Sequence, residues 1–126
     1  MTILVGYTHT PQGTAALRHA RTTAALLNEP MAIFPLFTPD ESQPWPDPEL
    51  ELTAEPGTRL LEPTAESVRP AEDLLDYSNQ LPATMIVIGV RARSRVGKIL
   101  MGSDAQNIIL SATVPVLSVK ADNDEE

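Results

Sequence analysis

The sequence predicts an open α/β fold, with five mostly parallel strands and helices on both faces of the sheet. Two observations favour it. Short apolar runs alternate with segments of helical periodicity, and hydrophobic residues make up 42% of the 126-residue chain while aromatic residues make up only 4%. An aliphatic core is typical of a sheet covered by helices. We expect a single domain over residues 1–120 and an acidic, disordered tail at 121–126.

The first part of the chain predicts a strand–helix–strand unit. Residues 2–7 form an apolar run that suits a buried strand, and Thr10 and Pro11 suit the cap and the first position of a helix. Apolar residues then recur at helical spacing, from Ala16 to Leu27. A second strand follows at 31–37, where Pro35 would remove one backbone donor and is placed best near the strand's end.

Residues 38–57 break this alternation. Five prolines and several acidic residues are interspersed there, together with the single tryptophan, Trp45. We expect an irregular segment with at most a helical turn at 47–52, in place of a full second crossover helix. An anchoring role for Trp45 is favoured over a lid that binds a partner.

The second half of the chain returns to regular elements. Residues 57–62 predict a weak third strand, and Pro70 opens a helix. The almost continuous apolar run at 84–90 predicts a central parallel strand. Ser103 and Gln106 have the spacing of a capping box at the start of the next helix, in which Ile108, Ile109 and Ala112 would pack inward. The last strand begins at Val114 and ends at Val119.

Charge and composition exclude several classes of function. The formal net charge is −8, which opposes binding to nucleic acid or to anionic membranes. The chain has no cysteine, so disulfides and thiol catalysis are excluded. The N-terminus lacks the features of a signal peptide, and no apolar run approaches the ~20 residues that span a bilayer. We expect a cytoplasmic protein.

The segment from Gly89 to Ser103 predicts an anion-binding site. It follows the fourth strand, and ligands of open α/β sheets bind at the carboxyl ends of the strands. Gly89 permits close backbone approach, and Gly102 and Ser103 precede a helix whose free amides and dipole favour an anion.

The same segment is locally basic. Arg91, Arg93, Arg95 and Lys98 are four of the nine Lys and Arg residues, and no acidic residue occurs between Asp76 and Asp104. Such charges also occur on solvated loops, and a glycine before a helix is common in turns. Spacing alone therefore leaves both interpretations open.

These residues resemble a motif of the universal stress protein family. The family pattern is a glycine, two residues, a second glycine, nine residues, and then Gly followed by Ser or Thr. Gly89, Ala92, Gly102 and Ser103 occupy those positions, with Ala92 in place of the second glycine. The family's continuation through a helix into a Pro-Val-Leu strand is also present, at Pro115.

The resemblance implies a Rossmann-like fold and a role as a regulator or sensor in the stress response. It also implies a homodimer formed through the last strand and a site for ATP or a related adenine nucleotide, with Mg²⁺ only when nucleotide is present. By resemblance, the residues on the adenine side are Gly6, Tyr7, Thr8 and Leu36. Thr8 stands where the family usually has Asp. The residues around the ribose and phosphates are Gly89, Val90, Arg91, Ala92, Arg93, Arg95, Gly102, Ser103 and Asp104.

Two alternatives stay open from the sequence. The first is a nucleotide-free dimeric interaction module with the same fold, and the second is a weak ATPase for which no general base can be named. The acidic cluster of a receiver domain and the Gly-x-Ser-x-Gly elbow of a hydrolase are both absent from the sequence. With two histidines and no cysteine we expect no intrinsic metal site, and His9 is expected to be a solvent-exposed turn residue.

Overall fold

The computed structural model describes residues 1–53, 56–63, 69–93, 98–100 and 102–121. Five parallel strands form the sheet in the order β3–β2–β1–β4–β6. The strands are β1 (Thr2–Tyr7), β2 (Met31–Pro35), β3 (Thr58–Leu60), β4 (Ala83–Arg93), β5 (Lys98–Leu100) and β6 (Val116–Lys120). The helices are α1 (Pro11–Leu27), α2 (Pro48–Thr53), α3 (Pro70–Gln80) and α4 (Ser103–Ser111). The predicted α/β fold is confirmed.

The two faces of the sheet are covered by different helices. Ala16, Ala20 and Ala24 of α1 are buried on one face, and Leu74 of α3 and Ile108 of α4 are buried on the other. Each fully buried aliphatic side chain of the larger kind contributes about 1.5–3 kcal/mol to stability. The packing faces end earlier than predicted, because Leu27 is 46% exposed and Ile109 is 38% exposed.

The described strands include one that was not predicted. The basic segment after Gly89 was expected to be a loop, but β4 continues to Arg93 and pairs with β5 in an antiparallel hairpin. In this hairpin Arg91 lies opposite Leu100, and Arg93 lies opposite Lys98. Three strand ends also differ from prediction by two residues. β2 stops at Pro35, which lacks a backbone N–H, β3 stops at Leu60, and β6 begins at Val116, after Pro115.

The helix caps show one prediction confirmed and one wrong. Thr10 caps α1, since its Oγ1 accepts a hydrogen bond from the Gly13 amide at 3.0 Å, and Pro11 is the first helical residue. The capping box at α4 is wrong, because Gly102 is the N-cap residue and Ser103 is already helical. The Gln106 amide donates to the Gly102 carbonyl at 3.1 Å.

The proline-rich segment is held to the end of the sheet by Trp45. The indole Nε1 donates a hydrogen bond to the Leu61 carbonyl at 2.8 Å, and the ring packs against the core on the α1 face. The predicted helical turn is the short helix α2, in whose first turn the Glu49 amide donates to Asp47 Oδ1 at 2.9 Å. The anchoring role of Trp45 is therefore the one the contacts favour. No helix in the described part of the chain is long and apolar enough to cross a membrane.

Candidate functional site

A cavity of about 280 Å³ opens at the carboxyl edge of the sheet. Three structural elements meet there: the start of α1, the residue after β2, and the start of α4. Ile88 and Gly89 of β4 also line the cavity. The described residues that line it are Thr8, Thr10, Gln12, Leu36, Ile88, Gly89, Gly102, Ser103, Asp104 and Ala105. Both α1 and α4 begin at this cavity, so the positive ends of two helix dipoles lie at its rim.

The start of α4 has the geometry of an anion site. A Cβ built on Gly102 would meet no described atom within 4 Å, and the φ of Gly102 is −70°, so the glycine is required neither by packing nor by backbone conformation. Ser103 is exposed, and its hydroxyl makes no hydrogen bond to another described residue. The amides of the first turn and this hydroxyl are thus available to an anionic ligand.

Gly89 has a different role from Gly102. A Cβ at position 89 would overlap the backbone carbonyl of Gln12 in the first turn of α1. The close backbone approach that Gly89 was predicted to permit is therefore made by the protein's own helix α1, which contacts β4 at this residue. Gly89 lines the cavity, but its absence of a side chain is needed for packing.

Two threonine hydroxyls form the polar wall of the cavity. Thr8 Oγ1 lies 2.7 Å from Thr10 Oγ1, and Thr10 Oγ1 also accepts from the Gly13 amide. Either hydroxyl can be the donor in the Thr8–Thr10 hydrogen bond. Because each hydroxyl can both donate and accept, the pair could meet either a donor or an acceptor of a ligand.

Part of the lining is apolar. Leu36 and Ile88 contribute it, and Leu36 packs over Gly6, since its Cδ1 would be 2.6 Å from a Cβ at position 6. Gly6 therefore allows the Leu36 side chain to lie over β1. Apolar side chains together with a few hydroxyl groups are the usual lining of a site for a small organic ligand.

The charges near the cavity are divided between its lining and the adjoining hairpin. Asp104 is the charged residue among the described lining residues, and Arg91 is exposed on β4 outside the lining. Arg93 and Lys98 lie opposite each other in the β4–β5 hairpin, and Ala92 lies opposite Ile99. Arg95 lies outside the described residues.

The remaining predicted residues lie behind the cavity. Gly6 and Tyr7 belong to the buried part of β1, and Val90 is 3% exposed in the core of the opposite face. Three described lining residues besides the cap residue Thr10 were not predicted as ligand contacts: Gln12, Ile88 and Ala105. Gln12 could have been predicted from the sequence, because the helix predicted to begin at Pro11 follows the carboxyl end of β1, where ligands bind.

An aromatic cluster joins the end of β1 to the proline-rich segment. The ring centroids of Tyr7 and His9 lie 5.2 Å apart, those of His9 and Phe37 5.1 Å, and those of Phe37 and Trp45 6.1 Å. His9 Nε2 lies 3.6 Å from Asp47 Oδ2, and His9 is exposed in the bend between β1 and α1, as predicted. Burial of the Tyr7 ring, and secondarily the negative charge of Asp47 and Glu49, raises the pKa of Tyr7 above its ordinary value.

The family model described as "Universal stress protein family" matches residues 1–120. This chain belongs to the universal stress protein family. Among curated relatives, a universal stress protein of Mycolicibacterium smegmatis is 45% identical over 53 residues, which cover 42% of this chain and 41% of that protein. The match thus spans under half the length of that relative.

Solved structures of other universal stress proteins share the fold along most of the chain. One from Archaeoglobus fulgidus in complex with dAMP is 22% identical, with a TM-score of 0.58, over 94% of this chain and 96% of that one. Another, in complex with cAMP, is 17% identical, with a TM-score of 0.65, over 97% of this chain and 98% of that one. These likenesses establish a common Rossmann-like architecture.

Proposed function

We propose that this universal stress protein binds ATP or a related adenine nucleotide in the cavity at the start of α4 and acts as a cytoplasmic regulator or sensor of stress. The observation that carries the proposal is the open space at Gly102 in front of the first turn of α4. The complexes of its structural relatives with dAMP and cAMP support the choice of ligand. At about 280 Å³ the cavity is close to the lower end of ligand pockets, which hold about 300–1,000 Å³.

Different lining residues would contact different parts of the nucleotide. Leu36 and Ile88 would contact the base, and the Thr8–Thr10 pair would bond the base or the ribose. Ser103 and the first amides of α4 would hold a phosphate, because a helix N-terminus favours negative charge. Asp104 would hold Mg²⁺ only together with the phosphates, since among the described residues no group of three or more acidic or histidine side chains could bind a metal.

The proposal is tested by mass spectrometry and calorimetry. Small molecules released by denaturing the freshly purified protein are identified, and the emptied protein is titrated with ATP, AMP and cyclic AMP. We expect binding that is lost in Gly102→Val, because the branched side chain enters the space in front of α4, where a Cβ meets no described atom within 4 Å. Ser103→Ala should weaken binding, while Ser111→Ala, at the exposed far end of α4, serves as its matched control. Absence of heat with all three nucleotides in the wild type would refute the proposal.

The residues that line the cavity favour nucleotide binding without efficient hydrolysis. Asp104 is the ionisable side chain in the described lining, and a hydrolase would need a positioned general base for the attacking water. Slow phosphate release that disappears in both Ser103→Ala and Gly102→Val would instead assign a weak ATPase activity to this site.

We further propose that two copies pair through β6. Among the described residues β6 pairs with β4 alone, and Leu117 on this strand is 39% exposed. An open apolar edge of this kind favours pairing with another strand. Leu117→Glu should shift the protein to monomer in sedimentation velocity at low micromolar concentration, whereas Leu26→Glu, at an 80% exposed position of α1, should not. A Leu117→Glu variant that stays dimeric would contradict this pairing.

The β6 edge also supports the second candidate function, a dimeric interaction module that binds no nucleotide. Val119 is a poor probe of it, because the side chain is only 6% exposed and a charge there would destabilise the subunit itself. A dimer that persists in a protein with no bound nucleotide and no nucleotide affinity would favour this second function.

A further inference from the structure

We propose that the protein binds a small aliphatic amino acid, as a zwitterion, in a cavity at the amino edge of the sheet. This amino-edge cavity has a volume of about 300 Å³ and opens where α1 ends and where β2 and β3 begin. Because these strands are parallel, the proposed nucleotide site lies at the opposite edge, and the two sites are independent. The described residues that line the amino-edge cavity are Arg21, Ala24, Ala25, Asn28, Glu29, Pro30, Met31, Pro56, Gly57 and Thr58.

Two opposite charges line the amino-edge cavity without pairing with each other. Arg21 lies on α1, Glu29 follows the end of this helix, and both residues are half-buried. The ion pairs among the described residues are His9–Asp47 and Arg69–Glu72, so Arg21 and Glu29 do not form one. A guanidinium and a carboxylate that share a cavity and do not neutralise each other can be bridged by a ligand that carries both charges.

Arg21 would bind the carboxylate of the ligand. A guanidinium presents a planar set of N–H donors that matches a carboxylate with two parallel hydrogen bonds. Arg21, Ala24, Ala25 and Asn28 follow the spacing of one helix face, so the arginine belongs to the side of α1 that lines the cavity. Its partial burial lowers the local dielectric and strengthens such a pair relative to one in open water.

Glu29 and the end of α1 would bind the ammonium group of the ligand. The Thr84 hydroxyl donates a hydrogen bond to Glu29 Oε1, which restrains the carboxylate. A carboxylate has about four acceptor sites, so Glu29 keeps acceptor capacity for an ammonium group. The last turn of α1 has no basic residue to offset the negative end of the helix dipole, which favours a cation at this point.

The rest of the lining selects a small aliphatic ligand. Ala24, Ala25, Pro30, Met31 and Pro56 supply apolar surface, and the described lining contains no aromatic side chain on which a base could stack. The volume of about 300 Å³ is at the lower end of the range for ligand pockets, about 300–1,000 Å³. These properties favour an amino acid with a short aliphatic chain over a second nucleotide.

Binding is tested by titrating the full-length chain in two-dimensional amide NMR spectra. The probes are α-aminobutyrate and γ-aminobutyrate, compared with butyrate and butylamine, each of which carries only one of the two charges. We expect at least one of the amino acids to shift the signals of Arg21, Asn28 and Gly57 with saturation, and both single-charge probes to bind about tenfold or more weakly. Absence of a saturable shift with both amino acids at millimolar concentration would overturn the proposal, as would equal binding of the single-charge probes.

Two variants assign the charges of the ligand to the two side chains. Arg21→Gln should lower amino-acid affinity about tenfold or more and abolish the preference over butylamine, because the partner of the carboxylate is gone. Glu29→Gln keeps an acceptor for Thr84 and should instead abolish the preference over butyrate. Arg18→Gln and Glu41→Gln, at exposed positions outside the lining, are the matched controls and should bind like wild type.

The outcomes separate this site from the proposed nucleotide site. Wild-type affinity in both Arg21→Gln and Glu29→Gln would overturn the amino-edge site, as would equal losses in the control variants, which would be an effect of net charge. Ser103→Ala, at the opposite edge of the sheet, should leave amino-acid affinity unchanged. If the protein binds no nucleotide, the proposed function fails, while the amino-acid titration still decides whether the amino-edge cavity is a site.

Discussion

Gly89 and Gly102 offer a direct test of which glycine serves the fold and which serves the ligand. Both line the same cavity, and both belong to the family motif. Replacing each by alanine adds one methyl group to two very different surroundings. At Gly89 this methyl would overlap the backbone carbonyl of Gln12, whereas at Gly102 it would meet no described atom within 4 Å.

The expected changes in the free energy of unfolding depend on which atoms can move to accommodate the added methyl group. Overpacking a well-packed site costs about 1–3 kcal/mol, and we expect Gly89→Ala at or above the upper end because the obstacle is backbone and not a flexible side chain. To relieve this overlap, the first turn of α1 must move away from β4, against which α1 packs. Gly102→Ala should change the free energy of unfolding by no more than about 0.5 kcal/mol, as for other exposed substitutions.

Urea unfolding followed by tryptophan fluorescence measures both variants. Trp45 packs against Tyr7 and Phe37, so its emission reports the loss of packing at this edge of the sheet. We expect a lower midpoint for Gly89→Ala and an unchanged midpoint for Gly102→Ala, with nucleotide binding weakened in the latter. Equal stability of the two variants would refute the assignment of Gly89 to helix packing. A large loss of stability in Gly102→Ala would refute the assignment of Gly102 to the ligand.

Three further predictions concern the core and the aromatic cluster. Trp45→Phe should cost about 1–3 kcal/mol in urea unfolding, because the buried Leu61 carbonyl loses its indole donor. Because the pKa of Tyr7 is raised in the folded protein, its contribution to stability is fully present below the unfolded pKa near 10 and is lost as the pH rises from there through the raised value. Tyr7→Phe should therefore remove this loss of thermal stability above about pH 10. Ile108→Ala should cost about 2–5 kcal/mol, and Ile109→Ala much less, since Ile108 is fully buried and Ile109 is 38% exposed.

The sequence predicted the elements whose patterns are local and complete. The apolar run at 84–90 became the centre of β4, and Thr10 with Pro11 started α1 as expected. Asn28 ends this helix in the left-handed conformation, with φ 56°. Each of these signals depends only on neighbouring residues, so no tertiary contact was needed to interpret it.

The errors arose where the sequence allowed two local possibilities. Ser103 and Gln106 have the spacing of a capping box, but Gly102 takes the cap position and leaves Ser103 inside the helix. Arg91 and Arg93 suggested a solvated loop, whereas the backbone continues as a strand because residues 98–100 return to pair with it. Such pairing requires the chain to reverse direction, and the hydrophobic periodicity of the sequence does not show where it does so.

Ala92 illustrates how the hairpin changes the meaning of a departure from the family pattern. A glycine at this position suggests a turn or a close approach to phosphate, and alanine would then be a disadvantage. In this chain Ala92 lies in β4 opposite Ile99, in extended backbone that alanine adopts without strain. The substitution is therefore compatible with the fold observed here.

Thr8 shows why the polar side of the cavity could be predicted only in part. Its hydroxyl bonds to Thr10, and the same Thr10 oxygen caps α1 through the Gly13 amide. The groups that would meet a ligand are thus the groups that start the helix, and a Cβ on Gly13 would overlap the Thr8 carbonyl. Because Thr8, Thr10 and Gly13 contact one another, we expect a ligand that bonds to Thr8 to affect the first turn of α1 and, through Gln12, its contact with Gly89. Fold stability and ligand affinity would then be coupled through backbone contacts, which the spacing of single residues in the sequence does not reveal.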